Sequence, residues 1–250
     1  MSSPNSLDNH VALITGAARR IGAAIARTLH AQGADVAIHY RGSAEEAADL
    51  TDELNSQRAD SAASYAADLT DMAGLNTLVE EVVAWHSRLD ILVNNASSFY
   101  PTPVGEITED QWDDLIGTNL KAPLFLSQAA LPALREARGV IINIVDVHSQ
   151  RPLRDHTVYG PSKAGLAMLT RSLAKDLAPE VRVNGVSPGA ILWPENGMSG
   201  ATKDAILEQV PLGRPGTPDD VANAVLFLAK DADYVTGQII AIDGGRSVGW

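Results

Sequence analysis

Three side chains in the second half of this sequence are spaced so that they could share one site of proton transfer. Tyr159 and Lys163 stand four residues apart in a helical stretch, which places them on one helix face. An ammonium beside a phenol favours the phenolate, so we expect Lys163 to lower the pKa of Tyr159 from its ordinary value of about 10. Asp146, thirteen residues before Tyr159, should oppose that effect. The group predicts acid–base catalysis, although tyrosine and lysine at this spacing also occur on ordinary helix surfaces.

A glycine-containing turn near the N-terminus is suited to bind phosphate. Gly16 and Gly22 lie in the stretch 15–22, which joins a predicted strand to a predicted helix. Glycine allows the tight turn and the close packing of the helix on the sheet, and the helix N–H groups can bind a pyrophosphate. On these residues alone, a strand–helix turn with incidental glycines is the alternative. We predict a dinucleotide site that includes Arg19, Arg20 and Ile21.

The residues after the second predicted strand indicate which dinucleotide binds. Enzymes that use NAD usually carry an acidic residue there, which binds the ribose hydroxyls. This chain has His39, Tyr40, Arg41 and Ser43 instead, and no carboxylate between positions 35 and 45. A cation and a hydroxyl suit a 2′-phosphate, so we predict NADPH as the cofactor. The alternative is that Arg41 is an ordinary solvated loop residue.

The composition excludes several classes of function. The chain has 250 residues, of which 45% are hydrophobic and 20% charged, and its net charge is −12. It can bury a core of its own, and its acidity opposes general binding to nucleic acid or anionic lipid. It contains no cysteine, which excludes thiolate metal sites, and we expect no bound metal. No apolar run reaches the roughly 18 residues of a membrane span, and positions 1–9 lack signal-peptide features, so we expect a cytoplasmic protein.

Short apolar runs alternate with helical periodicity along the whole chain. The patterns predict strands at 10–15, 35–40, 64–67, 89–94, 140–145, 181–186 and 238–242, and helices at 21–32, 44–57, 72–86, 110–135, 158–177 and 219–228. Strands that are apolar on both faces imply a parallel sheet covered by helices on both sides. We therefore predict an α/β fold, a single Rossmann domain over 10–250 with a doubly wound parallel sheet of about seven strands. Residues 1–9 are expected to form a flexible tail, and a lid around 190–210, with a helix at 201–209, to cover the substrate.

Five separated motifs give this chain a family resemblance. With the glycine turn come Asn94-Asn95-Ala96, Asn119, the Tyr159 and Lys163 pair, Pro188-Gly189 and Asp243-Gly244-Gly245. In this order they resemble the short-chain dehydrogenase/reductase family over essentially the whole chain. The resemblance implies that Lys163 also contacts the nicotinamide ribose and that Asn119 holds a water in a proton relay. The expected cofactor contacts are Gly16, Arg19, Arg20, Ile21, Gly22, His39, Tyr40, Arg41, Ser43, Asp68, Leu69, Asn95, Ala96, Ser97, Tyr159, Lys163, Pro188 and Gly189.

Two departures from the family pattern point to one of its branches. Arg20 stands where the family has a glycine of the turn, and Asp146 stands where it has the catalytic serine. Ser149 is a less suitable replacement for that serine. We expect His148 to be a loop residue rather than an acid. An ionised carboxylate cannot donate a hydrogen bond to a substrate carbonyl and would repel a developing alkoxide, so Asp146 suits a substrate with ring nitrogens. Together with Phe99, these residues resemble the pteridine reductase branch.

The branch resemblance implies how a substrate is bound. Phe99 and the nicotinamide would sandwich a flat pterin, Arg20 would bind its polar edge, and Asp146 with Tyr159 would face its ring nitrogens. Phe99 could instead plug a loop against the core, and Trp193 is either a second pocket wall or a lid anchor. The expected substrate residues are Arg20, Ser97, Phe99, Asp146, Tyr159 and Trp193.

We therefore expect an enzyme that reduces a dihydropteridine to its tetrahydro form with NADPH; reduction of oxidised pterin or dihydrofolate stays open. The first alternative is a carbonyl reductase of the same family, such as a 3-oxoacyl thioester reductase. The second is a non-catalytic NADPH-binding protein. The resemblance also implies a homotetramer formed through the helices at 110–135 and 158–177, with residues 246–250 approaching a neighbouring active site.

Overall fold

The computed structural model describes residues 6–193 and 199–248, which contain a seven-stranded parallel sheet. Its strands are β1 (Val11–Ile14), β2 (Asp35–Tyr40), β3 (Ala62–Ala66), β4 (Ile91–Asn94), β5 (Val140–Ile144), β6 (Arg182–Pro188) and β7 (Ile239–Ile242). They lie in the order β3-β2-β1-β4-β5-β6-β7, so the direction of winding reverses between β1 and β4. This confirms the predicted doubly wound fold, in which ligands bind where the winding reverses.

Helices cover both faces of the sheet. They are α1 (Arg20–Ala31), α2 (Ala44–Gln57), α3 (Met72–His86), α4 (Glu109–Ile116), α5 (Ala122–Ala137), α6 (Tyr159–Leu177), α7 (Gly200–Leu207) and α8 (Pro218–Lys230). Within β1, Ile14 packs on the side of α1 and α8, whereas Leu13 packs on the side of α3 and α5. Both side chains are fully buried. Such two-sided burial explains why the strand appears in the sequence as one continuous apolar run.

The helix predicted as one element at 110–135 is interrupted. It consists of α4, a π-helical turn at Gly117–Lys121, and α5. Pro123 lacks the N–H that an α-helix would donate to the carbonyl of Asn119, and its ring crowds that carbonyl. The Ala122 N–H bonds to the Gly117 carbonyl, five residues back, which is the π pattern. The prediction of one regular helix was wrong over Gly117–Lys121, where the π turn is compatible with Pro123, although Pro132 lies inside α5 without such a turn.

The edge strand β3 and the chain start also differ from the predictions. β3 covers Ala62–Ala66 rather than 64–67, since its register pairs Ala62 with Val36 of β2. Leu7 is buried, and its N–H donates to the Gln32 carbonyl at 2.8 Å. Residues 6–9 therefore belong to the domain rather than to the predicted tail at 1–9, whose first five residues lie outside the described chain.

The predicted lid region is described in part. α7 (Gly200–Leu207) overlaps the predicted lid helix at 201–209 and begins one residue earlier, and residues 194–198 fall outside the described chain. In the described ranges, none of the helices combines the length and the apolar character needed to cross a membrane. The same ranges contain no group of three histidine or acidic side chains placed to hold a metal ion.

Candidate active site

A cavity of about 550 Å³ opens at the carboxyl ends of β1, β2 and β4. The backbone N–H groups at the start of α1 face this region. No side chain caps this end of the helix, and its first turn contains no acidic residue. The space and the uncapped helix end suit a dinucleotide. The cavity is lined by Gly16, Ala18, Arg19, Arg20, Ile21, Gly22, His39, Tyr40, Arg41, Gly42, Ser43, Asp68, Leu69, Asn95, Ala96, Ser97, Ser98 and Thr118.

The structure thus brings together most of the residues predicted to contact the cofactor. Tyr159, Lys163, Pro188 and Gly189 lie outside this lining, toward β5 and β6. Four lining residues, Ala18, Gly42, Ser98 and Thr118, were not predicted, although three of them adjoin predicted positions in the sequence. Contact of each residue with a cofactor stays a prediction.

The glycine turn is held rigidly by its neighbours. Gly16 has a φ of +60°, and a Cβ there would lie 3.0 Å from the Ala96 Cα. A Cβ on Gly22 would lie 2.4 Å from the Gly16 carbonyl oxygen, so the helix can begin this close only without a side chain. The Asn95 amide donates to the carbonyls of Thr15 at 2.8 Å and Gly16 at 3.1 Å. Asn95 therefore fixes the turn from β4.

Arg20 occupies a backbone conformation that usually favours glycine. Its φ is +56°, and its side chain is exposed at the edge of the cavity. A non-glycine residue in this region is strained by about 1 kcal/mol. The positive φ explains why a glycine is expected at this position. This chain has an arginine there despite the strain.

His39 supports the glycine turn rather than pointing both ring nitrogens at a ligand. It is buried, its Nδ1 accepts from the Gly16 N–H at 3.1 Å, and its Nε2 lies 3.1 Å from the Ala67 carbonyl. Because a carbonyl only accepts, Nε2 carries the proton and the ring is neutral. Burial lowers the pKa of His39, which favours the same state.

The pocket beyond β2 contains Arg41 and Ser43, and Asp68 also lines it. Arg41 is well exposed, and its nearest carboxylate is Asp114 of α4 at 4.0 Å. Ser43 is the N-cap residue of α2, and its hydroxyl makes no capping hydrogen bond. A cation, a hydroxyl and a helix N-terminus therefore face one small space, which suits an anion.

Asp146 is bound directly to the phenol of Tyr159. The Tyr159 hydroxyl donates to Asp146 Oδ2 at 2.7 Å, and Asp146 Oδ1 accepts from the His148 N–H at 2.7 Å. The second bond caps a short 3-10 turn at Val147–Ser149. The carboxylate thus occupies the place of the family's serine beside the phenol, and the backbone holds it there.

The expectation that Lys163 lowers the pKa of Tyr159 was wrong. Burial raises the pKa of Tyr159 well above its ordinary value, and the charge and hydrogen bond of Asp146 raise it further. Lys163 Nζ donates to the Ile144 carbonyl at 3.0 Å and lies 5.9 Å from the centre of the Tyr159 ring. Burial lowers the pKa of Lys163 to about 8. Helix spacing placed the two side chains correctly, but burial and Asp146 decide the ionisation, so Tyr159 is a protonated phenol.

Asn119 lies on the π turn, and its side chain is fully engaged. Its Oδ1 accepts from the Ser98 N–H at 2.9 Å and the Ser97 hydroxyl at 3.0 Å. Its Nδ2 donates to the Ser98 carbonyl at 3.0 Å and the Ser162 hydroxyl at 3.1 Å. These hydrogen bonds of the Asn119 side chain fix the segment that carries Ser97. The water relay at Asn119 stays a prediction.

Phe99 lies beside Tyr159, as a substrate-stacking residue should. It is half-exposed, and its ring meets the Tyr159 ring edge-on at 4.7 Å. Its other neighbour is His156, stacked at 4.7 Å, which sequence reasoning missed because nothing in the sequence pairs these two loops. Trp193 is half-buried, with the Lys203 ammonium of α7 5.8 Å from its ring centre. That contact fits a lid anchor.

Arg246 near the C-terminus is buried, and its guanidinium donates to Gln209 at 3.4 Å, whereas Val248 is exposed. The approach of residues 246–250 to a neighbouring active site stays a prediction. Burial lowers the pKa of Arg246, against the charges of Asp146 and Asp243. Residues 249–250 lie outside the described chain.

Known proteins resemble this chain over nearly its full length. A family model described as enoyl-(acyl carrier protein) reductase matches residues 16–247. Pteridine reductase 1 of Leishmania tarentolae is 38% identical, with 95% of this chain and 96% of that protein covered. The 3-oxoacyl-[acyl-carrier-protein] reductase FabG of Staphylococcus aureus is 40% identical, with 94% and 96% covered.

A solved structure agrees with these relatives. The crystal structure of a blue fluorescent protein from a metagenomic library, in complex with NADPH, superposes with a TM-score of 0.91 at 36% identity. It covers 96% of this chain and 99% of that one. With the doubly wound sheet, the glycine turn and the Tyr159 and Lys163 pair in place, the chain belongs to the short-chain dehydrogenase/reductase family of oxidoreductases.

Proposed function

We propose that this protein is an NADPH-dependent pteridine reductase, which converts a dihydropteridine to its tetrahydro form. The observation that carries the proposal is the 2.7 Å bond from the Tyr159 hydroxyl to Asp146. A carboxylate there offers only acceptors, so it matches the N–H groups of a nitrogen heterocycle better than a ketone oxygen. The resemblance to pteridine reductase 1 supports the same substrate class.

NADPH is the cofactor. Arg41, the Ser43 hydroxyl and the N-terminus of α2 supply a cation and donors for a 2′-phosphate. The NADPH complex of the structural neighbour supports this assignment. The rigid turn from Gly16 to Gly22 leaves room for the pyrophosphate at the start of α1.

The side chains around the cavity divide the work of the reaction. When bound, NADPH supplies the hydride that reaches a ring carbon of the C=N bond. Tyr159 holds a proton at neutral pH, since burial and Asp146 raise its pKa, and it or a water that it orients delivers that proton to the adjacent nitrogen. Arg20 and Phe99 hold the pterin ring, and Lys163 contacts the nicotinamide ribose. The product gains one hydride and one proton, which balances the reduction.

A carbonyl reductase is the second candidate, and its support is equally specific. FabG of Staphylococcus aureus is as similar to this chain as pteridine reductase 1. In that case Asp146 would be a tolerated substitution, with the protonated Tyr159 alone binding the substrate carbonyl.

A spectrophotometric assay of NADPH oxidation separates these candidates. The substrates are dihydrobiopterin, dihydromonapterin, dihydrofolate and an acetoacetyl thioester, each tested with NADPH and NADH. We expect turnover of the dihydropterins with NADPH. Turnover of the thioester alone would select the carbonyl reductase, and NADPH binding without any turnover would indicate a non-catalytic binding protein.

We also propose that the protein forms a homotetramer through α5 and α6. Leu124 and Phe125 of α5 and Met168 of α6 expose apolar side chains that a second copy could cover. Light scattering coupled to size-exclusion chromatography should give four times the chain mass. A monomer would contradict this proposal.

A further inference from the structure

Three aromatic rings form one group at the mouth of the candidate site. The Phe99 ring stacks on His156 with centroids 4.7 Å apart and planes 23° apart, and it meets Tyr159 edge-on at the same distance. His156 is farther from Tyr159, at 6.3 Å. The three ring centroids thus form a compact triangle, and half of the Phe99 surface is still exposed. That surface is available to a flat ligand.

Backbone hydrogen bonds fix the two loops that carry Phe99 and His156. The Thr102 N–H donates to the Asp155 carbonyl at 2.5 Å, and Thr102 forms a β-bridge with His156. The Thr102 hydroxyl accepts from the Val158 N–H at 3.2 Å. Thr102 is fully buried. The backbones of the two loops are therefore joined beside the two rings, and contact between the side chains orients the rings themselves.

One hydrogen bond orients the His156 ring. Its Nδ1 donates to the Arg154 carbonyl at 2.8 Å. Its Nε2 has no hydrogen-bond partner in the described part of the chain. The ring is therefore held by the Nδ1 bond and by its stack on Phe99, and a phenyl ring could keep the stack.

We propose that His156 is a positioning residue of the active site, whose ring stacks on Phe99 and so sets the orientation in which Phe99 meets the substrate. Phe99 has no other aromatic support on that side among the described residues. The proposal rests on the proposed function in one respect, that Phe99 faces the substrate. His156 itself acts only through Phe99.

Four variants test this: His156→Ala, His156→Phe, Phe99→Ala, and the double variant with both alanines. An aromatic pair is worth about 0.5–1.5 kcal/mol, so His156→Ala should raise KM for the dihydropterin roughly 2- to 12-fold. The value of kcat and the Kd for NADPH should stay near those of the wild type. His156→Phe keeps the stack and should restore KM, with a Tm at or above that of the wild type. The double variant should match Phe99→Ala.

A control removes a histidine whose ring contacts an aromatic side chain elsewhere. His86 at the end of α3 lies 4.2 Å from the Trp85 ring, away from the cavity, and His86→Ala should leave KM unchanged. An unchanged KM in His156→Ala would overturn the proposal. So would additive effects in the double variant, since they would mean that His156 contacts the substrate directly.

Failure of the proposed function is distinguishable from failure of this inference, because the wild-type protein would then not reduce dihydropterins. The same variants are then compared on the acetoacetyl thioester, with the same non-additivity expected. Crystal structures of wild type and His156→Ala with NADPH need no turnover. Phe99 should change its ring orientation in His156→Ala and keep it in His156→Phe. A Phe99 ring that stays in place without His156 would refute the inference.

Discussion

Replacement of Asp146 by serine tests the carboxylate most sharply. Its Oδ2 accepts from Tyr159 and its Oδ1 accepts from the His148 N–H, both at 2.7 Å. Serine is also a good capping residue, so Asp146→Ser should keep the turn at Val147–Ser149. Asp146→Ala loses the cap, which should lower the free energy of unfolding by about 1 kcal/mol. Comparison of the two variants separates the structural role of Asp146 from its chemical role.

The expected loss of activity follows from the bond that the carboxylate makes. A hydrogen bond to a charged group contributes about 1.5–3 kcal/mol, which corresponds to a factor of roughly 10 to 150 in rate. We expect kcat on a dihydropterin to fall by such a factor in Asp146→Ser. NADPH binding should change less than about threefold, because Asp146 is not among the residues predicted to contact the cofactor.

Three measurements decide the outcome: steady-state kinetics on dihydrobiopterin, titration of NADPH binding, and urea unfolding. Asp146→Ser should also gain activity on an acetoacetyl thioester, since serine can donate to a carbonyl. A dihydropterin kcat within about twofold of the wild type would refute the reasoning. Parallel losses in kcat and in NADPH affinity would refute it equally.

Further predictions concern the cofactor, the strained arginine and the buried lysine. Arg41→Ala should raise KM for NADPH by roughly 10-fold or more and leave KM for NADH unchanged, because Arg41 is expected to contact only the 2′-phosphate, which NADH lacks. Equal changes in KM for both cofactors would contradict this. Arg20→Gly should raise the free energy of unfolding in urea by up to about 1 kcal/mol, because glycine adopts a positive φ without the strain that a Cβ causes. The same variant should show a higher KM for the dihydropterin. A lower free energy of unfolding would be evidence against the strain. Burial lowers the pKa of Lys163 from 10.5 to about 8. Below pH 8 the buried ammonium is charged, and its desolvation lowers the free energy of unfolding by the full amount. Between pH 8 and 10.5 the lysine is neutral in the folded protein but still charged in the unfolded chain, so this cost falls as pH rises. Unfolding experiments should therefore show stability rising across that window in the wild type but not in Lys163→Met, and kcat/KM should fall above about pH 8 if the ammonium is needed.

The sequence predicted the sheet and most of the residues that line the cavity, because both depend on local patterns. Continuous apolar runs identify buried parallel strands, and the spacing of Gly16 and Gly22 identifies the turn between β1 and α1. The basic pocket around Arg41 follows from the absence of an acidic residue after β2. Each of these features involves residues that are close in sequence.

Features that depend on tertiary contacts were missed. The spacing of Tyr159 and Lys163 could not reveal that both are buried, and burial reverses the expected effect on the phenol. The contact of His156 with Phe99 joins loops that are far apart in the chain. The π turn before Pro123 was missed because helical periodicity continues through it, and Pro132 inside α5 shows that a proline alone does not produce such a turn.

The central claim is that Asp146 and Arg20 flank a nitrogen heterocycle above the nicotinamide. A crystal structure with NADP⁺ and a dihydropterin tests it most directly. We expect Asp146 and Arg20 each within about 3 Å of a ring nitrogen or ring substituent, with Phe99 stacked on the pterin. A complex in which both side chains point away from the bound ring would contradict the claim.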